Sequence, residues 1–233
     1  MSIHDGHRQR LKERFRREGL DNFDELYVLE LLLFYCVPRS DTNPLAHKLL
    51  NSFGSLTAVL EASPEELEKI NGIGKNVSTF LSLITQVGRY YQVKRSDPGD
   101  ILQTIEQCGQ YLVPYFYGRD NETVFMLCLD AKCKVICCKK VGEGSVNSAN
   151  VPVRRVVEIA LGANATTVVL AHNHPSGLAI PSADDIQTTL RIATALEAVD
   201  IFLADHIVVS RDDYVSIVQS GYYKPQDLCS IKK

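Results

Sequence analysis

The stretch TTVVLAHNHPSGLAIPSADD, residues 166–185, constrains the fold more than any other part of the chain. Val168 to Ala171 form an apolar run with no polar alternation, which suits a strand buried on both faces. Such a strand ends in His172, Asn173 and His174 only if polar partners await them, because an unpaired buried polar group costs about 1–3 kcal/mol. Side chains alternate along a strand, so His172 and His174 share one face and Asn173 takes the other. Pro175 and Gly177 then turn the chain out of the strand. Pro181 and Ser182 lead into a helix whose first turn holds Asp185.

Two imidazoles on one face and a carboxylate returned from the next helix can bind one metal ion. Two nitrogens and one oxygen leave a fourth tetrahedral position for water, the pattern of a catalytic rather than a structural zinc site. Zinc lowers the pKa of bound water toward about 7, and a carboxylate outside the metal shell must still move the proton. Glu122, which opens the strand ETVFMLCLD, Glu143 in a Gly-rich turn and Glu158 within a helix are the candidates. Ser182 is placed to hydrogen-bond the water or a developing oxyanion. Read more plainly, Ser182 and Asp185 make a helix cap, and Asp205-His206 orders its own strand or buttresses a ligand. A Ser-His-Asp hydrolase is disfavoured because neither Ser176 nor Ser182 sits in a nucleophile elbow.

The rest of the 233 residues divides in two. Residues 1–95 read as a helical domain. A basic helix with six Arg or Lys between positions 8 and 17 comes first, and FDELYVLELLLFYC follows as a largely buried one. Two short helices part at Gly54. Ser63, Pro64 and Glu66 spell a capping box whose helix is expected to run to NGIG. In that turn Gly72, Gly74 and Lys75 form a tight hairpin suited to a DNA phosphate oxygen. VKRSDPGD, residues 93–100, reads as a linker. Residues 100–225 interleave strands and helices: a helix from Asp100, two strands joined near Asp130, a helix closed by Gly162, the histidine strand, a helix, IFLADHIVVS, and a last strand YVSIVQSG. The fold class is therefore α+β, with a mixed sheet flanked by helices in the second domain.

Composition narrows the function classes. A net charge of −3 gives no global case for nucleic acid, so any DNA contact must come from a local patch. Seven cysteines without a pairing pattern, and no apolar leader, are expected of a reduced, cytoplasmic protein. The longest apolar runs fall far short of a membrane span.

HNHPSGLAIPSADD resembles the signature of the JAMM or MPN+ metalloprotease family: a distant Glu, then His-x-His, seven residues, Ser, two residues and Asp. His172, His174, Ser182 and Asp185 stand in register with it. HNHPSG with the following PS and Asp, and DHIVV downstream, is similar to the RadC-type branch, linked by name to DNA repair. The resemblance implies a JAB/MPN mixed sheet, zinc held by the two histidines and Asp185, and a general acid/base Glu about fifty residues ahead, at Glu122. It also implies an N-terminal helix-hairpin-helix domain, to which INGIGKN corresponds. One departure stands out: branch members carry Pro-Arg-Glu ahead of the metal strand, and here VPVRRVVE has Arg155 in place of that Glu.

The leading expectation is a zinc-dependent hydrolase acting on a protein or peptide substrate, since JAMM relatives cut isopeptide bonds. The alternatives are a DNA-associated nuclease of the RadC type, and a non-enzymatic DNA-binding factor in repair or recombination whose metal site is structural. A closed structural site needs a fourth ligand, for which only Asp205 or His206 is in reach.

Overall fold

The computed structural model describes residues 3–38, 40–95, 99–144, 151–175, 177–211 and 213–225, with the backbone alone for residues 3–5. The chain divides into two compact units, Met1–Gly88 and Arg89–Lys233.

The first unit is built from α1 (Ile3–Glu18), α2 (Glu25–Cys36), α3 (Asn43–Phe53), α4 (Leu56–Glu61), α5 (Pro64–Leu67) and the first part of α6 (Lys75–Arg95). Local chemistry sets these boundaries. Asp24 caps α2, Gly54 ends α3 at φ 90°, and Ser63 and Glu66 exchange both bonds of a capping box at the start of α5. Leu29, Leu33, Leu49, Leu67 and Leu81 are fully buried together. Each contributes about 1.5–3 kcal/mol by leaving water. α5 is shorter than expected. It stops at Leu67, and the chain continues through turns in which Ile70 N donates to Leu67 O at 3.0 Å and Ile73 N to Ile70 O at 2.9 Å. The expected linker also begins late, because Val93–Arg95 complete the last turn of α6. Its residues 96–98 lie outside the described residues.

The second unit runs α7 (Ile105–Leu112), a 3-10 turn (Val113–Phe116), β1 (Glu122–Leu129), β2 (Val135–Gly144), α8 (Val153–Gly162), β3 (Thr167–Asn173), α9 (Ala183–Glu197), β4 (Phe202–Ser210) and β5 (Asp213–Ser216). The sheet order is β2-β1-β3-β4-β5, with β3 and β4 parallel and the other neighbours antiparallel. The sheet is thus mixed and flanked by helices, as read from the sequence. Every residue of β3 is buried, which its central place requires and its unbroken apolar run permits. Leu127, Leu129, Val169 and Ala171 face the cluster that includes Ile105, Leu112 and Phe116. Met126, Cys128, Val168 and Leu170 face Val156 of α8 and Ile192 and Leu196 of α9 on the other side.

Two boundaries differ from the sequence reading. The first helix starts at Ile105, capped by Thr104 with Gln107, because Ile101 is drawn into a bridge with Lys134. α8 ends at Gly162, as read, and the turn that follows it is made by Asn164. Asn164 takes the left-handed conformation at φ 50°, and Ala165 N donates back to Ala160 O at 3.1 Å, a role Asn tolerates. The last strand ends at Ser216, and Ile217–Gly221 turn away. No described helix is long and apolar enough to cross a membrane.

Candidate metal centre

The site grows from the end of β3. His172 lies opposite Val124 of β1 and Val208 of β4, and His174 N prolongs the ladder by donating to Val209 O at 2.8 Å. The two histidines therefore keep to one face. Their Nε2 atoms stand 3.0 Å apart, with His172 Nε2 3.2 Å from Asp185 Oδ1 and His174 Nε2 3.6 Å from Asp185 Oδ2. Among the described residues these three form the one group of at least three His, Cys, Asp or Glu able to hold an ion. Ligands about 2.0–2.1 Å from a tetrahedral ion lie about 3.3 Å from each other, and the three separations bracket that figure. The residues fit a small divalent cation.

Helix capping fixes the carboxylate. Ser182 N and Ser182 Oγ each donate to Asp185 Oδ2 at 2.7 Å, and Asp185 N donates to Ser182 Oγ at 3.1 Å. The hydroxyl expected to meet water or an oxyanion is directed at Asp185 instead. Burial pushes the Asp185 carboxyl up, but hydrogen bonds with His172, His174 and Ser182 outweigh it and hold it well below the usual carboxylate range. The Asp185 carboxylate in turn raises His174 above its ordinary value, against partial burial.

Strand register separates the three carboxylates that the sequence leaves open. Residues opposite one another on neighbouring strands point to the same side. Val124 faces with His172, so Glu122, two residues earlier, shares that side, half-buried at the start of β1. Its charge adds to the upward pull on His174. Glu143 lies opposite Thr123 and so faces the other way, in an ion pair with Lys140. Glu158 is exposed on α8 and bound to Arg154 at 2.8 Å.

Several further groups support the site. Asn173 brackets Glu122: its Oδ1 accepts from Thr123 N at 2.7 Å, and its Nδ2 donates to Asn121 O at 3.2 Å. Leu178 O lies 3.2 Å from His174 Nδ1, a backbone partner that no sequence signal announces. His206 stands behind His172, Nε2 to Nδ1 at 2.8 Å, so it buttresses a ligand and does not join the set. Burial pushes His206 down to about 3. Thr189 meets His206 Nδ1 at 2.7 Å; its signal was the four-residue spacing from Asp185, which places both on one face of α9. Asp205 Oδ1 accepts from His206 N at 2.7 Å and Val218 N at 3.1 Å, while Oδ2 is buried without a partner among the described residues. Burial pushes Asp205 up to about 6, against the pull of the nearby Ser216 side chain and those two N–H groups. Ser176 lies outside the described residues.

Gly72, Gly74 and Lys75 belong to the other unit. With Cys36, Val37, Ser40 and Asn76 they line a pocket of about 620 Å³. Gly72 sits at φ 106°, a conformation that L side chains rarely adopt. Arg8 Nη2 donates to Val37 O at 2.7 Å and also to Ser40 O, fixing the segment that forms one wall.

A family model described as a RadC-like JAB domain matches residues 102–222. A UPF0758 protein of Fusobacterium nucleatum subsp. nucleatum is 34% identical over 223 residues, covering 93% of this chain and 96% of that protein. A UPF0758 protein of Ruegeria pomeroyi is 34% identical over 216 residues with the same two coverages, 93% and 96%.

Proposed function

This chain belongs to the RadC-like JAB domain family, and on that premise we propose that it is a zinc-dependent hydrolase of an amide bond, a peptidase or isopeptidase. The observation that carries the reading is the convergence of His172, His174 and Asp185 on one point, with Glu122 on the same side of the sheet. His172, His174 and Asp185 would hold the zinc, which would supply Lewis acidity to a carbonyl oxygen and acidify water. Glu122 would accept a proton from water on a carboxylate oxygen and return it to the leaving nitrogen. Asn173 keeps Glu122 in place from both sides, and Ser182 keeps the Asp185 carboxylate turned toward the histidines. Cys36, Cys128, Cys137 and Cys138, free thiols among the described residues, support a reducing, cytoplasmic setting. The test is elemental analysis of wild type, His174→Ala and Glu122→Ala, followed by hydrolysis of a fluorogenic peptide library. About one zinc per chain in wild type and Glu122→Ala, almost none in His174→Ala, and cleavage lost in both variants is the expected result. Equal loss of zinc from both variants would overturn this division of roles between ligand and base.

DNA as a partner of the first unit is favoured by a separate observation, the pocket at the turn where Gly72 and Gly74 precede Lys75 and the 21-residue helix α6. Free backbone N–H groups at a helix start, beside a lysine, suit a phosphate oxygen. Binding of a labelled duplex at low salt, weakened about equally for all sequences by Lys75→Ala, supports it; unchanged binding in that variant removes the turn from the interface.

A further inference from the structure

We propose that Thr189 and His206 are positioning residues that fix His172 as the Nδ1–H tautomer, so that its Nε2 lone pair faces Asp185 and His174 before any ion arrives. The inference rests on the reading of these residues as a metal centre. His172 is 3% exposed, so water does not choose which ring nitrogen carries its proton; the neighbours must.

The chain of neighbours leaves one self-consistent assignment. Thr189 Oγ1 lies 2.6 Å from Asp185 O. A carbonyl only accepts, so the single hydroxyl proton goes there. This bond closes on the helix's own carbonyl one turn back, a local habit of threonine. Thr189 Oγ1 is then an acceptor toward His206 Nδ1 at 2.7 Å, and His206 must be protonated at that nitrogen. Its Nε2 is left with a lone pair, which accepts from His172 Nδ1 at 2.8 Å. In the neutral ring His172 Nε2 then carries the lone pair. Leu178 O lies 3.2 Å from His174 Nδ1 and holds the outer nitrogen of that ring.

Before an ion arrives, the His172 Nε2 lone pair accepts from His174 Nε2 at 3.0 Å, and His174 Nε2 lies 3.6 Å from the Asp185 carboxylate. The relay makes α9 the source of both the Asp185 ligand and the group that sets the tautomer of His172, so the crossover from β3 to β4 organises two of the three ligands. Ligating histidines ordinarily place their second nitrogen against a carboxylate, carbonyl or water, and loss of such a partner costs about 10–100-fold in metal affinity.

Two measurements test this on the full chain. Long-range 1H–15N correlation of the metal-free wild type, at a pH where the imidazoles are neutral, should show His172 protonated at Nδ1, and Thr189→Val should shift it toward the Nε2–H form, with Thr189→Ser restoring it. Zinc affinity, read by competition with a chromogenic chelator, should fall about tenfold in Thr189→Val and about 10–100-fold in His206→Phe. His206→Gln, whose amide can accept from His172 and donate to Thr189, should stay within about threefold of wild type. A His172 protonated at Nε2 in the metal-free wild type overturns the proposal, as does zinc affinity unchanged in both Thr189→Val and His206→Phe. If wild type takes up no zinc, the metal-centre reading fails, while the tautomer of His172 still decides whether the relay is as proposed.

Discussion

Each of the two compact units buries a carboxylate against histidine, and they do so to different ends. In the helical unit Glu30, fully buried on α2, meets His7 at 3.1 Å and Asn43 at 3.4 Å. In the sheet unit Asp185, 1% exposed, meets two histidines, and the outer nitrogen of each is held by a further partner. Glu30 spreads its two oxygens toward different neighbours and satisfies them. Asp185 and its histidines aim their donor atoms at a common point and leave that point for something else. A buried ion pair alone is weak evidence of a site; convergence of donor atoms with supported outer nitrogens is the feature that separates one unit from the other.

The largest expected effect breaks that comparison if it fails. Asp185→Asn keeps a capping side chain but removes the charge. With zinc at about 1,000 times its dissociation constant the wild type should gain about 4 kcal/mol in unfolding free energy, and the variant should gain almost none. Glu30→Gln should cost about 1–3 kcal/mol by leaving His7 poorly paired, and that cost should be the same with and without zinc. Urea titrations of both variants in the two conditions decide it. A zinc-dependent cost at Glu30 would erase the distinction.

A second carboxylate of the sheet unit separates burial from ligation. Asp205 is fully buried, and its folded pKa is about 6 against an ordinary 3.8. A raised folded value favours the protonated form, so its contribution to stability is present below about pH 4 and is lost as pH rises through about 6. The loss amounts to about 3 kcal/mol at neutral pH. Stability of wild type should fall over that window by more than that of Asp205→Asn, measured by denaturant titration at several pH values. Parallel profiles would show that Asp205 stays ionised throughout.

The smallest effect compares two capping boxes. Ser63→Ala and Ser182→Ala each remove a cap bond and should each cost about 1 kcal/mol. Only Ser182→Ala should also weaken zinc binding, because Ser182 holds the Asp185 carboxylate through Oδ2. A chelator competition that finds both variants at wild-type affinity would reduce Ser182 to a cap.

Much of the molecule is legible in the sequence because its signals act over four residues or fewer. The box at Ser63 and Glu66, the box at Ser182 and Asp185, and the shared face of His172 and His174 follow from helix and strand periodicity, and the apolar run of β3 announces a central strand. The choice among Glu122, Glu143 and Glu158 does not follow. It depends on which residue of β1 lies opposite His172, a pairing across about fifty residues that is set by how both faces of the sheet bury their side chains. A slip of one residue would have turned Glu122 to the other face and Thr123 toward the histidines. The end of α8 at Gly162 is legible, but not the left-handed turn at Asn164 that follows it. His206 is legible as a buttress, but not the histidine it supports, nor Thr189 behind it; those contacts exist because β3, α9 and β4 meet at one end of the sheet. The sequence by itself determined the ligand types and their spacing. The tertiary structure decided which carboxylate shares their face and which supporting groups surround them, because those choices rest on strand register and packing and not on local periodicity.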